Sequence, residues 1–254
     1  MAEPLLVFDK VSMCYHDDKG ETEVLSDFSL EVHRGEFVAL LGPSGCGKST
    51  VLSLAAGLLA PDSGRVLLRG EEIRRPPARM GYMLQRDHLF PWLTVRQNAL
   101  LGIRVRRKPT PRQQALVDAL LASCGLSEFA DAFPGQLSGG MRQRAALVRT
   151  LAVEPEFLLL DEPFSALDSQ TRIQLSDEVK QQLAGGDKAT ILVTHDVSEA
   201  ISMADRVIVL TSRPASIRTE HRIELPGSPM QRRRDARFKD DFDRIWKELD
   251  VHVQ

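Results

Sequence analysis

The chain has 254 residues, 43% of them hydrophobic, with a formal net charge of −2, so it buries a sizeable core and shows no bulk attraction to nucleic acid. Its three scattered cysteines, Cys14, Cys46 and Cys124, have no metal-ligand spacing and suit a reducing compartment rather than a disulfide framework. No run approaches the roughly 20 apolar residues of a membrane helix, and MAEPLLVFDK lacks the basic-then-apolar pattern of a secretion signal, so any work at a membrane needs a pore from another chain.

The opening third alternates short strand patterns, LLVFDKVSMCY, FSLEV, EFVALL and GRVLLRG, with turn signals. Phe37–Leu41 is apolar throughout, as expected of a central strand covered on both faces. It leads into GPSGCGKST (Gly42–Thr50) and a helical pattern over Val51–Leu59, which Ala60-Pro61-Asp62-Ser63-Gly64 ends. The strand-like MGYMLQ closes on Gln85. From about His88 to Leu151 strand patterns vanish, and helices are expected around Thr94–Gly102, Pro111–Cys124 and Gly140–Ala152. Strand patterns return at FLLLD (157–161) and ATILVTHD (189–196), each leading into a helical pattern, and then at DRVIVLTS (205–212). Strands alternating with helices predict a mostly parallel sheet, with the helical stretch inserted into a nucleotide-binding core.

After Pro226-Gly227-Ser228-Pro229, the residues Phe238, Phe242, Ile245, Trp246 and Leu249 fall on one helical face. A helix docked on its own domain is the first reading, and a partner contact the second. Arg104–Lys108 and Arg232–Arg234 read as solvated charge runs.

Gly42–Thr50 fits the G-x-x-x-x-G-K-[ST] phosphate loop in its required strand-to-helix context. Glycines turn the backbone amides inward as an anion nest, and the helix start adds partial positive charge. Gly42, Pro43, Ser44, Gly45, Cys46, Gly47, Lys48, Ser49 and Thr50 are therefore candidate nucleotide ligands; Lys48 is expected on the β- and γ-phosphates and Ser49 on Mg²⁺. Two readings stand for Cys46, a reactive thiol beside a helix N-terminus or a small packed residue. Such a loop alone does not separate kinases, GTPases and motors.

The strand Phe157–Leu160 ends in Asp161 and Glu162. A carboxylate at a strand end suits the Mg²⁺ position, which assigns Asp161 to metal and Glu162 to polarising the attacking water as general base. His195 ends a second strand at the same expected sheet edge, where it contacts the γ-phosphate or holds the water and base. The amide of Gln85 suits both a metal-bound water and a γ-phosphate, so it is a candidate metal ligand and sensor.

Leu137-Ser138-Gly139-Gly140-Met141-Arg142-Gln143-Arg144 opens a helix with LSGG, a second anion nest made from a hydroxyl and glycine amides. An N-capped helix start explains Ser138 but not two successive glycines. Together these segments resemble an ABC-type ATPase over nearly the whole chain. Gly42–Thr50 is similar to Walker A, Gln85 to the Q-loop, Leu137–Met141 to the signature and Leu158–Glu162 to Walker B with its catalytic Glu. Ser165-Ala166-Leu167-Asp168 resembles the D-loop and His195 the switch histidine. Tyr15 resembles the aromatic residue that stacks on adenine, although a strand Tyr by itself is more often core. Met141 stands where Gln is more frequent.

The resemblance implies an α/β P-loop NTPase core with a mostly parallel sheet, an N-terminal antiparallel β-subdomain and an inserted α-helical subdomain. The expected single ABC ATPase domain, 1–254, divides into a core with its β-subdomain (1–87 and 152–225), a helical subdomain with the signature (88–151) and an amphipathic tail (226–254). It also implies ATP and Mg²⁺ as cofactors, with Glu162, His195 and Lys48 catalytic and Ser138, Gly139 and Gly140 covering the nucleotide on a second copy of the chain.

The run Arg86-Asp87-His88-Leu89-Phe90-Pro91-Trp92-Leu93-Thr94-Val95 resembles a segment of bacterial nitrate/sulfonate/taurine-type importers, and also cassettes for thiamine-precursor pyrimidines. Gln85–Val95 is then a socket for a membrane-spanning permease, although Phe90 and Trp92 also read as buried within their own subdomain. The implied assembly is peripheral, on the cytoplasmic face of the inner or plasma membrane, and includes a periplasmic or lipid-anchored solute-binding protein. The other function classes are a soluble ABC-type ATPase acting on ribosomes or DNA, which usually carries two cassettes or long coiled-coil insertions, and a phosphotransferring kinase, which has no use for LSGG.

Overall fold

In the computed structural model, which describes residues 3–17, 20–165, 167–183 and 188–250, two sheets meet across one apolar layer. The first strands, β1 (Pro4–Asp17) and β2 (Gly20–His33), form a long antiparallel hairpin. Its inward residues Leu6, Phe8, Phe28 and Val32 are fully or almost fully buried. β3 (Phe37–Leu41) leaves for the second sheet, α1 (Lys48–Ala55) follows, and β4 (Ser63–Leu68) returns to pair antiparallel with β1. The short β5 (Glu71–Glu72) completes the order β2-β1-β4-β5. Gly64 is required where β4 starts: it sits at φ +75°, and an added Cβ would lie 2.2 Å from the Lys10 carbonyl oxygen.

The second sheet adds β6 (Met80–Met83), β7 (Phe157–Asp161), β8 (Ala189–Val193), β9 (Arg206–Leu210) and β10 (Ile217–Arg222), in the order β10-β9-β3-β8-β7-β6. Every neighbouring pair is parallel except β10 with β9. Every residue of β3, β7, β8 and β9 is buried. The pleat sends Val38, Leu40, Leu159, Ile191 and Ile208 toward α1 and the hairpin sheet, and Ala39, Leu41, Leu158, Leu160 and Leu192 toward the helices on the opposite face.

Between β6 and β7 the described elements are α2 (Val95–Arg104), α3 (Pro111–Ser123), α4 (Gly139–Leu151) and two short 3-10 turns. Capping boxes start α2 and α3, with Thr94 paired to Gln97 and Thr110 to Gln113. Then come α5 (Ser169–Leu183), α6 (Val197–Met203), α7 (Pro229–Arg232) and α8 (Phe238–Asp250). No helix among the described residues is long and apolar enough to cross a membrane.

The α/β class with a mostly parallel sheet and an antiparallel N-terminal sheet matches the sequence expectation; several details do not. The helix after the phosphate loop ends at Ala55 rather than Leu59, because Gly57 turns to φ +65° with the Arg75 backbone 2.7 Å from where a Cβ would sit. β10 escaped notice because IRTEHR is a half-exposed edge strand without an apolar face.

Arg232–Arg234 is not a solvated run throughout. Arg232 is 7% exposed and donates to the Ala204 carbonyl at 2.7 Å, while Arg234 is exposed. The C-terminal end of α6 supplies the carbonyls of Ser202 and Ala204, with Asp205 beyond them, which a charge count along the chain does not register. In the tail, Ile245 is fully buried and Phe238, Phe242 and Leu249 pack on the core. Trp246 lies at the rim of that face, half-exposed and stacked on Phe242. Phe90 and Trp92 are not buried in their subdomain: they touch edge-on and are 39% and 68% exposed.

Candidate active site

The carboxyl ends of β3, β7, β8 and β9 lie together because those strands are parallel and adjacent, so segments far apart in sequence emerge at one edge. A cavity of about 390 Å³ opens there, lined by Tyr15, Val24, Ser44, Gly45, Gly47, Lys48, Ser49, Thr50, Gln85, Asp161, Glu162, Val193 and Arg213.

The floor is the loop between β3 and α1. Gly45 and Gly47 adopt φ +74° and +122°, and a Cβ on Gly47 would lie 2.8 Å from Val24 Cγ1. Gly47 also caps α1 and brings no side chain to its first-turn amides, which leaves them available to an anion. Lys48 is 8% exposed, and its ammonium donates to the carbonyls of Gly42 (2.7 Å) and Pro43 (2.8 Å). Gly42, Pro43 and Cys46 do not line the cavity. Cys46 is 2% exposed, in keeping with a small packed residue rather than an accessible thiol. At the rim, the Tyr15 hydroxyl lies 3.3 Å from Thr50 Oγ1, with Tyr15 about half-exposed.

The acidic wall begins at Asp161, the last residue of β7. Burial raises its pKa above the ordinary carboxylate value; a hydrogen bond from Ser49 and the Lys48 charge oppose that rise, and Glu162 adds to it. The chain then turns through Glu162 at φ +47°, a left-handed conformation costing about 1–2 kcal/mol for a residue with a side chain. The turn is held at its backbone: Glu162 N–H donates to Val193 O at 2.9 Å, and Glu162 O accepts from the Ser165 hydroxyl at 3.0 Å and from Gln143 Nε2 at 3.4 Å. As a result the carboxylate stands between two side chains from different strand ends. Gln85 Nε2 donates to Oε2 at 3.1 Å, and His195 Nδ1 lies 3.3 Å from Oε1.

Asp161, the Ser49 hydroxyl and the Gln85 amide form a hard-oxygen donor set beside the phosphate loop. Among the described residues, no group of three or more His, Cys, Asp or Glu side chains stands ready to hold a metal. One buried carboxylate with neutral oxygens fits Mg²⁺, which binds through one or two carboxylates together with substrate phosphates rather than in an all-protein cage.

Ser138, Gly139 and Gly140 do not line this cavity. Ser138 caps α4 by accepting from Met141 N–H at 3.3 Å, and Ser138 and Gly139 are exposed. Gly139 borders a separate cleft of about 400 Å³ shared with Gln85, Asp87 and Arg142. There the loop after β6 is gripped by α4: Arg142 Nε donates to Asp87 Oδ2 at 3.1 Å, and Arg149 donates to the carbonyls of Asp87 and His88 at 2.7 Å each. Ala166 of the Ser165–Asp168 segment lies outside the described residues. Leu167, next to it, would meet a Cβ on Gly140 at 2.8 Å.

Sequence reasoning missed four neighbours of the site. Val24 fell between the strand patterns and Val193 read only as a strand residue, yet both line the cavity. Arg213 sits in a turn without a motif. Arg172 donates to Asp196 Oδ2 at 2.8 Å and to Leu167 O at 3.2 Å, tying the segment before α5 to the residue after His195. Only its place four residues after Asp168 hinted at that.

The sequence profile of the ABC transporter family matches residues 25–165. An uncharacterized ABC transporter ATP-binding protein, YtlC, of Bacillus subtilis is 44% identical over 95% of this chain and 94% of its own. The taurine import ATP-binding protein TauB of Jannaschia sp. is 42% identical over 80% of this chain and 76% of its own. Among solved structures, a dimeric ATP-binding cassette in a post-hydrolysis state, bound to ADP and Pi, superposes with a TM-score of 0.78 at 28% identity, covering 86% of this chain and 99% of that one.

Proposed function

The chain belongs to the ABC transporter family of ATPases, and from that premise we propose that it is the motor of a bacterial importer, hydrolysing MgATP as a head-to-tail pair beneath separate membrane subunits. The observation that carries the reading is the Glu162 carboxylate, presented at the phosphate loop between Gln85 and His195.

In this mechanism the loop amides of Gly45–Thr50 and the Lys48 ammonium bind the phosphates, and Tyr15 offers its ring to the base. Glu162 accepts the proton of the attacking water, while His195 and Gln85 hold its carboxylate in place. Ser49, Asp161 and Gln85 would hold Mg²⁺, which would supply charge neutralisation on the phosphates. Ser138, Gly139 and Gly140 serve the nucleotide of a second copy, which is consistent with the exposure of Ser138 and Gly139 and with the place of all three outside this chain's own cavity. The solved relative described as dimeric supports that pairing.

Gln85–Val95 is the contact for a multi-span permease, supported by the exposed Phe90–Trp92 pair beside the Gln85 loop. The proposed domain division follows: core 1–87 and 152–225, helical subdomain 88–151 and tail 226–254. The cargo class is a small solute of the taurine, sulfonate, nitrate or bicarbonate kind, or a pyrimidine thiamine precursor. The similarity to the taurine import protein TauB supports the sulfonate kind. A solute-binding protein completes the complex, and the motor sits peripherally at the cytoplasmic face.

Affinity purification of the chain from detergent-solubilised membranes tests this. Co-purification with a multi-span permease is expected; recovery with ribosomes or nucleic acid instead overturns the importer and favours a non-transport ABC ATPase.

A further inference from the structure

We propose that Arg213, in the turn after β9, is a nucleotide ligand that grips the diphosphate of the bound nucleotide from the solvent side of the phosphate loop. The proposal rests on the nucleotide reading of the cavity and adds a residue that lies outside every motif around it.

Arg213 lines the same cavity as Ser44, Gly45 and Lys48. Its terminal nitrogen Nη2 would be 3.3 Å from a Cβ placed on Gly45, so the guanidinium lies over the apex of the loop where that glycine leaves room. The residue is exposed, and among the described residues its guanidinium has no hydrogen bond or ion pair. Lys48, the other cation lining the cavity, is engaged by the carbonyls of Gly42 and Pro43. Arg213 is therefore the cavity cation without a protein partner.

An exposed arginine on a loose loop would simply be solvated. This turn is fixed at both ends. Thr211 N–H donates to Ser216 O and Ser216 N–H to Thr211 Oγ1, each at 3.0 Å. Ala215, fully buried, donates to Val24 O at 2.8 Å and accepts from Ser26 N–H at 3.3 Å. Val24 in turn packs on Gly47. The backbone that carries Arg213 is thus stapled through β2 to the loop that receives the phosphates.

The chemistry fits a diphosphate. Backbone amides give directed hydrogen bonds with little net charge, whereas a planar guanidinium supplies a full charge and a fork that matches two phosphate oxygens. Arg213 follows β9, while Glu162 follows β7, and β3 and β8 lie between these strands. Its contribution therefore falls on nucleotide affinity rather than on the chemical step.

The test is calorimetric titration of the full chain with ADP and AMP in the presence of Mg²⁺. Arg213→Ala is expected to weaken ADP about tenfold and AMP less than twofold, and Arg213→Lys to recover part of the loss. All three proteins should melt alike without nucleotide, since the side chain touches no partner. ADP affinity unchanged in Arg213→Ala overturns the proposal. Equal losses for ADP and AMP, or a lowered melting point in both variants, overturn it as well, by showing a contact to another part of the ligand or a structural role. A wild-type chain that binds no ADP would instead sink the nucleotide reading itself.

Discussion

Asp87 and Arg142 are joined across 3.1 Å between the loop that carries Gln85 and the helix that LSGG opens. Their side chains are 29% and 37% exposed, and Arg142 also donates to Leu137 O at 2.9 Å. A partly exposed pair of this kind contributes modestly to stability. Its larger effect is geometric, because it ties the loop after β6 to the LSGG helix. A double-mutant cycle of Asp87→Ala and Arg142→Ala, measured by urea denaturation, should give a coupling of about 0.5–1 kcal/mol. Strict additivity of the two losses would show that the pair does not couple the two segments.

Glu162→Gln keeps the side-chain shape and removes the proposed base. Turnover should fall at least about a hundredfold, the usual scale for losing a general base, while ATP binding persists and an ATP-dependent dimer accumulates on size-exclusion chromatography. Steady-state hydrolysis close to wild type would remove Glu162 from the role of base.

Glu199, in the first turn of α6, is buried, with Oε2 accepting from the Thr194 hydroxyl at 2.7 Å and Oε1 without a partner. Burial pushes its pKa to about 7 from 4.5; the Thr194 hydrogen bond and the charges of Arg172 and Arg233 oppose the rise, and Asp196 adds to it. The folded state then holds a proton that the unfolded state has released. Stability from this group is complete below pH 4.5, declines as pH rises toward 7 and is flat above. The slope approaches about 1.4 kcal/mol per pH unit within that window. Thermal melts across pH 5 to 8 should show Glu199→Gln losing this component, so that the variant gains on wild type as pH rises. A constant difference across that range would contradict the assignment.

Gly64 and Gly70 separate two costs of replacing a left-handed glycine. Both have positive φ, +75° and +77°, but only Gly64 faces backbone, with the Lys10 oxygen 2.2 Å from a new Cβ and nothing within 4 Å of one on Gly70. Gly70→Ala should cost about 1–2 kcal/mol from backbone strain alone. Gly64→Ala should exceed it by at least about 2 kcal/mol, because β1 and β4 must separate. Denaturant midpoints for the two variants check the ordering.

Much of the fold was legible because its signals are local. Phe37–Leu41 and Phe157–Leu160 are unbroken apolar runs and Ala189–Val193 is interrupted by Thr190 alone, and such runs have few places to go except a sheet covered on both faces. The phosphate loop was legible for the same reason: its glycines, lysine and hydroxyls are consecutive, and their function depends on being so. IRTEHR and the Arg232 region were not, because an edge strand and a buried arginine owe their state to neighbours distant in the chain.

The sequence by itself determined the parts: the glycine-rich loop at Gly42–Thr50, the paired acids at the end of β7, the LSGG helix start at Leu137–Gly140 and a membership that the comparisons bear out. Tertiary structure decided their arrangement. The sheet order β10-β9-β3-β8-β7-β6 brings Gln85 and His195 to the Glu162 carboxylate and sets Arg213 over Gly45, while leaving Ser138 outside the cavity. Strands that are neighbours in space but not in sequence make those contacts, and only burial of the sheet's two faces determines which strands become neighbours.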